Sequence, residues 1–169
     1  NFAGRSIYPI ISSPMNSITG LKMIEEMRRL NCDGIHHRYC DLGLHDIDKD
    51  MIVSVGSVSS HKETIDMLIS RGFNSFAIDV AHGESQKALD TYYYIYHACL
   101  KERRVPFIIS GSICTIESAR ECVKHHCSAI RVGVGSGCFG LGTRILMSNG
   151  SYKNIEDKMK FGMIKKRNR

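Results

Sequence analysis

Short apolar runs closed by Gly or Ser recur through the first 137 residues: Tyr8 to Ser12, Gly34 to His37, Met51 to Val55, Phe76 to Val80, Phe107 to Ser110 and Ala129 to Val132. Each predicts a buried strand. Between most of them the apolar residues change to helical spacing. Thr19 to Leu30 carries Leu21, Ile24, Met27 and Leu30 three residues apart, with Thr19 placed to cap. His61 to Arg71 repeats the pattern with Ile65, Leu68 and Ile69, and Glu84 to Arg103 and Thr115 to His125 complete the set. The exception is Arg38 to Asp50, polar and poorly periodic, where a helix is weak or absent. Strands alternating with helices imply a parallel sheet, because parallel neighbours need a crossover connection. Six βα units leave two architectures, the open doubly wound sheet and a (β/α)8 barrel.

Both architectures put their chemistry at the carboxyl ends of the strands. Those ends read Ser12-Ser13-Pro14-Met15, His36-His37-Arg38-Tyr39, Gly56-Ser57, Asp79-Val80-Ala81-His82-Gly83, Ser110-Gly111-Ser112 and Gly133-Val134-Gly135-Ser136-Gly137. Gly and Ser also make turns, but six such ends together mark a ligand-binding face. Asp79 has a second reading, as the cap of the helix beginning near Glu84. His36-His37 with Cys40 has the residue types of a metal cluster. Adjacent residues at a strand end point to opposite faces, so the two His are not expected to share one ion. Cys114, Cys122 and Cys127 with His125-His126 have no zinc spacing and read as helix-face residues. The glycine run Gly133 to Gly137 lacks the helix start and downstream acid of a dinucleotide loop.

Charge changes the picture at one point. The first 137 residues hold 15 Lys+Arg and 15 Asp+Glu, whereas residues 138–169 hold 8 basic and 2 acidic ones, so the whole net charge of +6 lies in the tail. That break marks a boundary near Gly137 and removes the hint of nucleic-acid binding. In the tail, Thr143 to Met147 and Ser151 to Ile155 predict two strands around Asn149-Gly150, a strong hairpin signal. A lone hairpin is marginal in water, so the segment expects something to fold against. No apolar run approaches the roughly 20 residues of a membrane span, and the start has no signal-peptide pattern. Seven irregularly spaced Cys argue against a secreted disulfide framework. A cytoplasmic protein with reduced thiols is expected, and the Asn at position 1 suggests a processed chain or a piece of a longer reading frame.

The strand-end series over about residues 7–137 closely resembles the IMP dehydrogenase/GMP reductase family, whose catalytic domain is a (β/α)8 barrel. Ile10-Ile11-Ser12-Ser13-Pro14-Met15 looks like the first strand and nucleotide-contact loop, Asp79 like the acid after the fourth strand, and Arg131 to Gly137 like the sixth strand entering the catalytic loop. The resemblance implies a partial (β/α)8 TIM barrel of six βα units. It implies nucleotide contacts by Ser13, Met15, Gly133 and Ser136, cofactor contacts by Asp79 and Gly111, and carbonyls of Gly135 and Gly137 for a monovalent cation, K+. The implied activity is oxidation of IMP to XMP with NAD; the alternative is an NADPH-dependent GMP reductase. Arg131-Val132-Gly133 and Gly135-Ser136-Gly137 favour the dehydrogenase, while Asp79-Val80-Ala81-His82-Gly83 and the short segment Arg38 to Asp50, where dehydrogenases carry paired CBS modules, favour the reductase. Asn16 and Ser112 depart from the family's usual Asp and Asn. The completed enzyme would bind a purine nucleoside monophosphate and form a homo-oligomer, a tetramer.

The family's catalytic Cys is missing, because its loop continues Gly-Ser-Gly-Ser-Ile-Cys whereas this chain continues Gly137-Cys138-Phe139-Gly140-Leu141. From Cys138 to Asp157 the sequence resembles the opening block of an intein: a first Cys, Thr143 five residues on, a hairpin with Gly at its turn, and a following Ile. The implied architecture is residues 1–137 as an N-terminal barrel part and residues 138–169 as an N-terminal intein fragment of incomplete, Hint-like fold. Cys138 would be the splicing nucleophile and the Gly137 carbonyl its target, with no cofactor. The Thr-x-x-His block and terminal His-Asn pair of intact inteins are absent after Cys138, which implies a truncated gene or a split intein. The partner of a split intein would be a complementary C-terminal fragment fused to the rest of the barrel. Eight basic residues against two predict that this fragment is acidic. Other readings are a divergent barrel loop with a chance Cys, and a non-catalytic nucleotide-binding remnant carrying a dead intein relic.

Overall fold

Every strand of the larger unit is parallel to its neighbours and lies beside the strand that precedes it in sequence. The computed structural model describes residues 2–38, 48–133, 144–146 and 151–154. It divides into two units, Asn1–Gly135 and Ser136–Arg169. In the first, β1 (Ile11–Ser12), β2 (Asp33–His36), β3 (Ile52–Val55), β4 (Ser75–Ile78), β5 (Phe107–Ile113) and β6 (Ala129–Val132) form one sheet in that order. A doubly wound sheet reverses its strand order at a switch point. None occurs among these six strands, so the sheet winds in one direction, as a partial barrel does.

The helices α1 (Leu21–Arg29), α2 (Val58–Ser70), α3 (Gln86–Lys101) and α4 (Ile116–Lys124) follow β1, β3, β4 and β5. The strands' two-residue period sorts their side chains into two cores. Val53, Val55, Phe76, Ile78 and Ile108 pack with the helix residues Ile24, Ile65, Leu68, Tyr92, Ile95 and Cys122. The alternate positions Ile35, Ile52, Ala77 and Ile109 form a separate inner cluster joined by Ile11, Ala129 and Phe2. Phe2 sets its ring edge-on to Phe107, centroids 5.0 Å apart, at the amino end of β5. Also at the amino ends, Asp33 is fully buried between Arg5 and Arg28, the latter at 3.3 Å. Removing that carboxylate would deprive Arg5 of this partner, whereas Arg28 also meets Asp48 at 3.0 Å.

Three local expectations are corrected. Gly20, not Thr19, occupies the start of α1, and the Thr19 hydroxyl instead donates to the Ser13 carbonyl. Helix α2 begins at Val58 rather than His61, which keeps a non-helical φ of −132° inside it, because the Thr91 hydroxyl accepts from the Val58 amide at 2.8 Å and supports an earlier first turn. β1 is only two residues long, since the Tyr8 amide donates to the Asn31 carbonyl and not to the sheet. In the second unit β7 (Arg144–Leu146) pairs antiparallel with β8 (Tyr152–Asn154). The Asn149-Gly150 turn lies outside the described residues.

Candidate functional site

The carboxyl ends of β4, β5 and β6 are tied together by backbone and by one arginine. After β4, the Gly83 amide donates to the Ser112 carbonyl at 3.0 Å and the Ser112 amide donates to the Val80 carbonyl at 3.2 Å. Pairing between β5 and β6 shifts register between Ser110 and Ile113, and Gly111 sits there at φ +143°. A Cβ at Gly111 would lie 2.6 Å from the Arg131 Cβ, so glycine is required both for its backbone angle and for the close approach. Behind this corner runs a buried polar chain. The Tyr92 hydroxyl donates to the Gly83 carbonyl at 2.7 Å, and Ser110 Oγ donates to the Tyr92 hydroxyl at 2.8 Å and lies 2.9 Å from Cys122 Sγ. Burial pushes the Tyr92 phenol up, so it remains a donor, and pushes the Cys127 thiol beside it up to about 12, leaving an unreactive thiol.

Arg131 is the residue that the motif reading missed. Its Nη2 donates to Asp79 Oδ1 at 3.1 Å, to the Gly111 carbonyl at 3.2 Å and to the Ile78 carbonyl at 3.5 Å. The signal was a charged residue inside an otherwise apolar strand: Ala129 belongs to the inner cluster, so two-residue alternation aims Arg131 to the same side. Asp79 therefore does not cap a helix; Ser85 caps α3, its hydroxyl accepting from the Ala88 amide. A cavity of about 320 Å³ is lined by Ser12 of β1, Ser13 after it, Ala129 to Val132 of β6, and the inner-cluster residues Ile35, Ile109 and Phe2. Among the sequence-predicted residues, Ser13 lines this cavity together with Arg131, and Arg131 brings in Asp79 and the Gly111 carbonyl. Met15 is 47% exposed and Gly133, at φ +120°, donates its amide to the Ile113 carbonyl; neither lines the cavity. Gly135, Ser136, Gly137, Cys138 and Cys40 lie outside the described residues.

The histidine pair behaves differently from expectation. His36 ends β2 and His37 follows it, so strand alternation no longer separates them; both are buried and their rings stack, centroids 5.2 Å apart and 12° from parallel. Burial holds the His36 pKa below its ordinary value. The described residues contain no group of three or more His, Cys, Asp or Glu able to hold a metal ion. At the rim, His82 Nε2 lies 3.0 Å from Glu84 Oε1, and the Ser118 hydroxyl and His82 hold the Glu84 carboxyl below its usual range. No helix among the described residues is long and apolar enough to cross a membrane.

The family model of the IMP dehydrogenase / GMP reductase domain matches residues 43–154, about two thirds of the chain. The inosine-5'-monophosphate dehydrogenase of Chlorobaculum parvum is 35% identical over 85 residues, 50% of this chain and 16% of that protein. The GMP reductase of Pediococcus pentosaceus is 29% identical over 140 residues, 76% of this chain and 41% of that protein. In structure, inosine 5' monophosphate dehydrogenase from Legionella pneumophila superposes with a TM-score of 0.66 at 25% identity, over 76% of this chain and 40% of the other. The chain thus spans well under half the length of each of these relatives. The family-model match over about two thirds of the chain, on a sheet of six parallel strands in sequence order, shows that the chain belongs to the IMP dehydrogenase / GMP reductase domain family.

Proposed function

We propose that this chain supplies the first six βα units of an oxidoreductase that converts IMP to XMP with NAD, and that it becomes an enzyme only when joined to the rest of its barrel. The observation that carries the reading is the Asp79–Arg131 pair, both side chains about a quarter exposed, beside the cavity lined by Ser13. Ser13 offers a hydroxyl and Met15 an exposed thioether surface at the end of β1, suited to a ribose phosphate and a flat purine. Asp79 bonds Arg131 through Oδ1 and is 27% exposed, so the hydroxyls of a dinucleotide ribose can reach its carboxylate. NAD, when bound, would supply the hydride acceptor. The roles of this chain's residues are to bind and orient: Arg131 fixes the Asp79 carboxylate, and Gly111 lets β5 approach Arg131 closely. Gly133 and Ser136 would complete the nucleotide loop, and the Gly135 and Gly137 carbonyls would ligate K+.

Joining would proceed by protein trans-splicing. Cys138 sulfur attacks the Gly137 carbonyl carbon, the amide C–N bond breaks as the C–S bond forms, and the thiol proton passes to the released amine. The hydroxyl of the Ser that follows the complementary fragment then takes the acyl group and gives its proton to the departing Cys138 thiolate; cyclisation of the fragment's terminal Asn breaks the fragment's bond to that Ser, and the ester shifts to the freed Ser amine, so residues 1–137 become amide-bonded to the rest of the barrel. The basic tail suits an acidic complementary intein fragment, with association weakening as salt rises. Two observations favour second readings. GMP reductases align over more of this chain than the Chlorobaculum enzyme does, which favours an NADPH-dependent reductase. The family match continues to residue 154, which favours residues 138–154 as a divergent barrel loop rather than an intein. The test of function is turnover by the completed barrel: IMP-dependent NADH formation supports the dehydrogenase, GMP-dependent NADPH consumption the reductase, and neither with bound nucleotide the non-catalytic reading.

A further inference from the structure

At the amino ends of the strands, on the face opposite Ser13, Asp79 and Arg131, the segment leading into β1 meets the end of α1 around a cavity of about 300 Å³. Arg5, Ser6, Ile7, Arg28, Asn31 and Cys32 line it, so two guanidinium groups share a wall that has no acidic side chain. Their carboxylate partners lie outside that lining: Asp33 is fully buried, and Asp48, 3.0 Å from Arg28, is 53% exposed. The two arginines are unequally committed. Arg28 uses all three of its nitrogens, Nε on Asp33 at 3.3 Å, Nη1 on Asp48 and Nη2 on the Asp50 carbonyl at 2.9 Å. Arg5 uses Nη2 alone, on Asp33 and, at 3.4 Å, on the Asp50 carbonyl. Among the described residues, Arg5 Nε and Nη1, the main-chain amides of Ser6 and Ile7, and the Ser6 hydroxyl have no hydrogen-bond partner.

We propose that this cavity binds the phosphate group of a small phosphorylated molecule, held by Arg5, the successive amides of Ser6 and Ile7, and the Ser6 hydroxyl. Those unused groups are donors or can donate, and they come from different directions. A phosphate offers three terminal oxygens that each accept more than one bond, whereas a carboxylate is filled by a single arginine fork. Charge agrees with this. Arg5 and Arg28 share the one buried carboxylate of Asp33, and the remaining counter-charge, Asp48, is exposed enough for water to weaken its hold. The volume stands at the lower limit of small-molecule sites, which suits a phosphate monoester and not a dinucleotide. Ile7 and Cys32 give the rest of such a molecule an apolar wall. Barrel chemistry belongs to the carboxyl ends of the strands, so a ligand here acts on the fold. It ties the segment before β1 to the end of α1 and stabilises the chain by binding only the folded state. Neither the nucleotide site nor the splicing chemistry is required for it.

The test titrates the full chain with inorganic phosphate, against sodium chloride of equal ionic strength, and follows the main-chain amides by NMR. Saturable shifts of the Ser6 and Ile7 amides are expected with phosphate and not with chloride, together with a urea midpoint that rises to a plateau. Arg5→Lys keeps a cation for Asp33 but removes the guanidinium edge; its unaltered circular dichroism with at least about tenfold weaker phosphate binding would support the proposal, and unchanged binding would overturn it. Where Arg5→Lys loses the native spectrum, Ser6→Ala decides in its place, since Ser6 is exposed: binding weaker by about threefold or more supports the site, and unchanged binding overturns it. Shifts that grow without saturation, or an equal response to chloride, overturn it as well. Acetate bound as tightly as phosphate overturns the phosphate assignment. Saturable shifts confined to Ser13 and Gly111 also overturn it, while leaving the nucleotide reading of the carboxyl ends standing.

Discussion

Replacing Tyr92 by Phe removes one oxygen from the wall behind the candidate site. That oxygen donates to the Gly83 carbonyl at 2.7 Å and accepts from Ser110 Oγ at 2.8 Å, and both Tyr92 and Ser110 are wholly buried. The ring keeps its place, so the cavity left is no larger than a hydroxyl. Each lost hydrogen bond is worth about 1 kcal/mol net, and a buried carbonyl left without its donor costs about 1–3 kcal/mol. Ser110 keeps Cys122 Sγ at 2.9 Å and Gly83 O keeps only the long contact to that sulfur at 3.8 Å, so most of the loss falls on Gly83. A destabilisation of about 2 kcal/mol is expected, read as a lower urea midpoint with an unchanged slope. Tyr94→Phe is the control: its hydroxyl donates to Asp66, which is 42% exposed, and its loss should cost less than about 1 kcal/mol. Gly83 ends the loop that carries Asp79, so exchange of the Gly83 and Ser112 amides should also quicken in Tyr92→Phe. Equal midpoints for Tyr92→Phe and wild type would refute the view that this buried chain anchors the loop.

Gly111→Ala should destabilise by about 2–4 kcal/mol, since φ of +143° is strained for any side chain and the new Cβ meets the Arg131 main chain at 2.8 Å; a shift of the urea midpoint no larger than a surface substitution gives would contradict this. Burial lowers the His36 pKa from 6.5, so below that pH the unfolded chain binds a proton that the folded chain resists. Stability contributed by neutral His36 is therefore present above about pH 6.5 and lost as pH falls toward the lowered folded value; His36→Asn should flatten that slope in urea titrations, and an identical slope would remove His36 as its cause. The chain alone should turn over neither IMP with NAD nor GMP with NADPH, because the sheet has six strands among the described residues and the family's Gly-Ser-Gly-Ser-Ile-Cys motif does not occur in the sequence; measurable turnover by the purified chain would overturn the completion requirement.

Much of the barrel was legible because period and burial agree. Ile52, Phe76 and Ile108 are fully buried in runs long enough for one strand, and Ile65 and Leu68 repeat at helical spacing. What sequence could not decide between barrel and doubly wound sheet was strand order, a long-range property that local pattern does not encode. Local capping misled where tertiary partners won: Thr19 bonds Ser13, and Thr91, thirty-three residues downstream, supports the start of α2. His36 and His37 were separated by a rule that holds only inside a strand, and β2 ends between them. At the site, Ser13 and Asp79 stood out as polar residues just past strands and Gly111 as a glycine near the end of β5. Arg131 hid inside a strand, and only its inward position beside Asp79 reveals its part.

The proposed joining unites these six βα units with the two that complete a (β/α)8 barrel. Its most direct test is the intact mass of the chain after mixing with an acidic C-terminal intein fragment fused through Ser-Ile-Cys to the last barrel units of the Legionella pneumophila enzyme. The expected product has residues 1–137 bonded directly to that Ser, with release of residues 138–169, and none forms when Cys138→Ala replaces the wild-type chain. Product formed equally by the Cys138→Ala chain, or a wild-type chain that keeps its full mass, would contradict this joining.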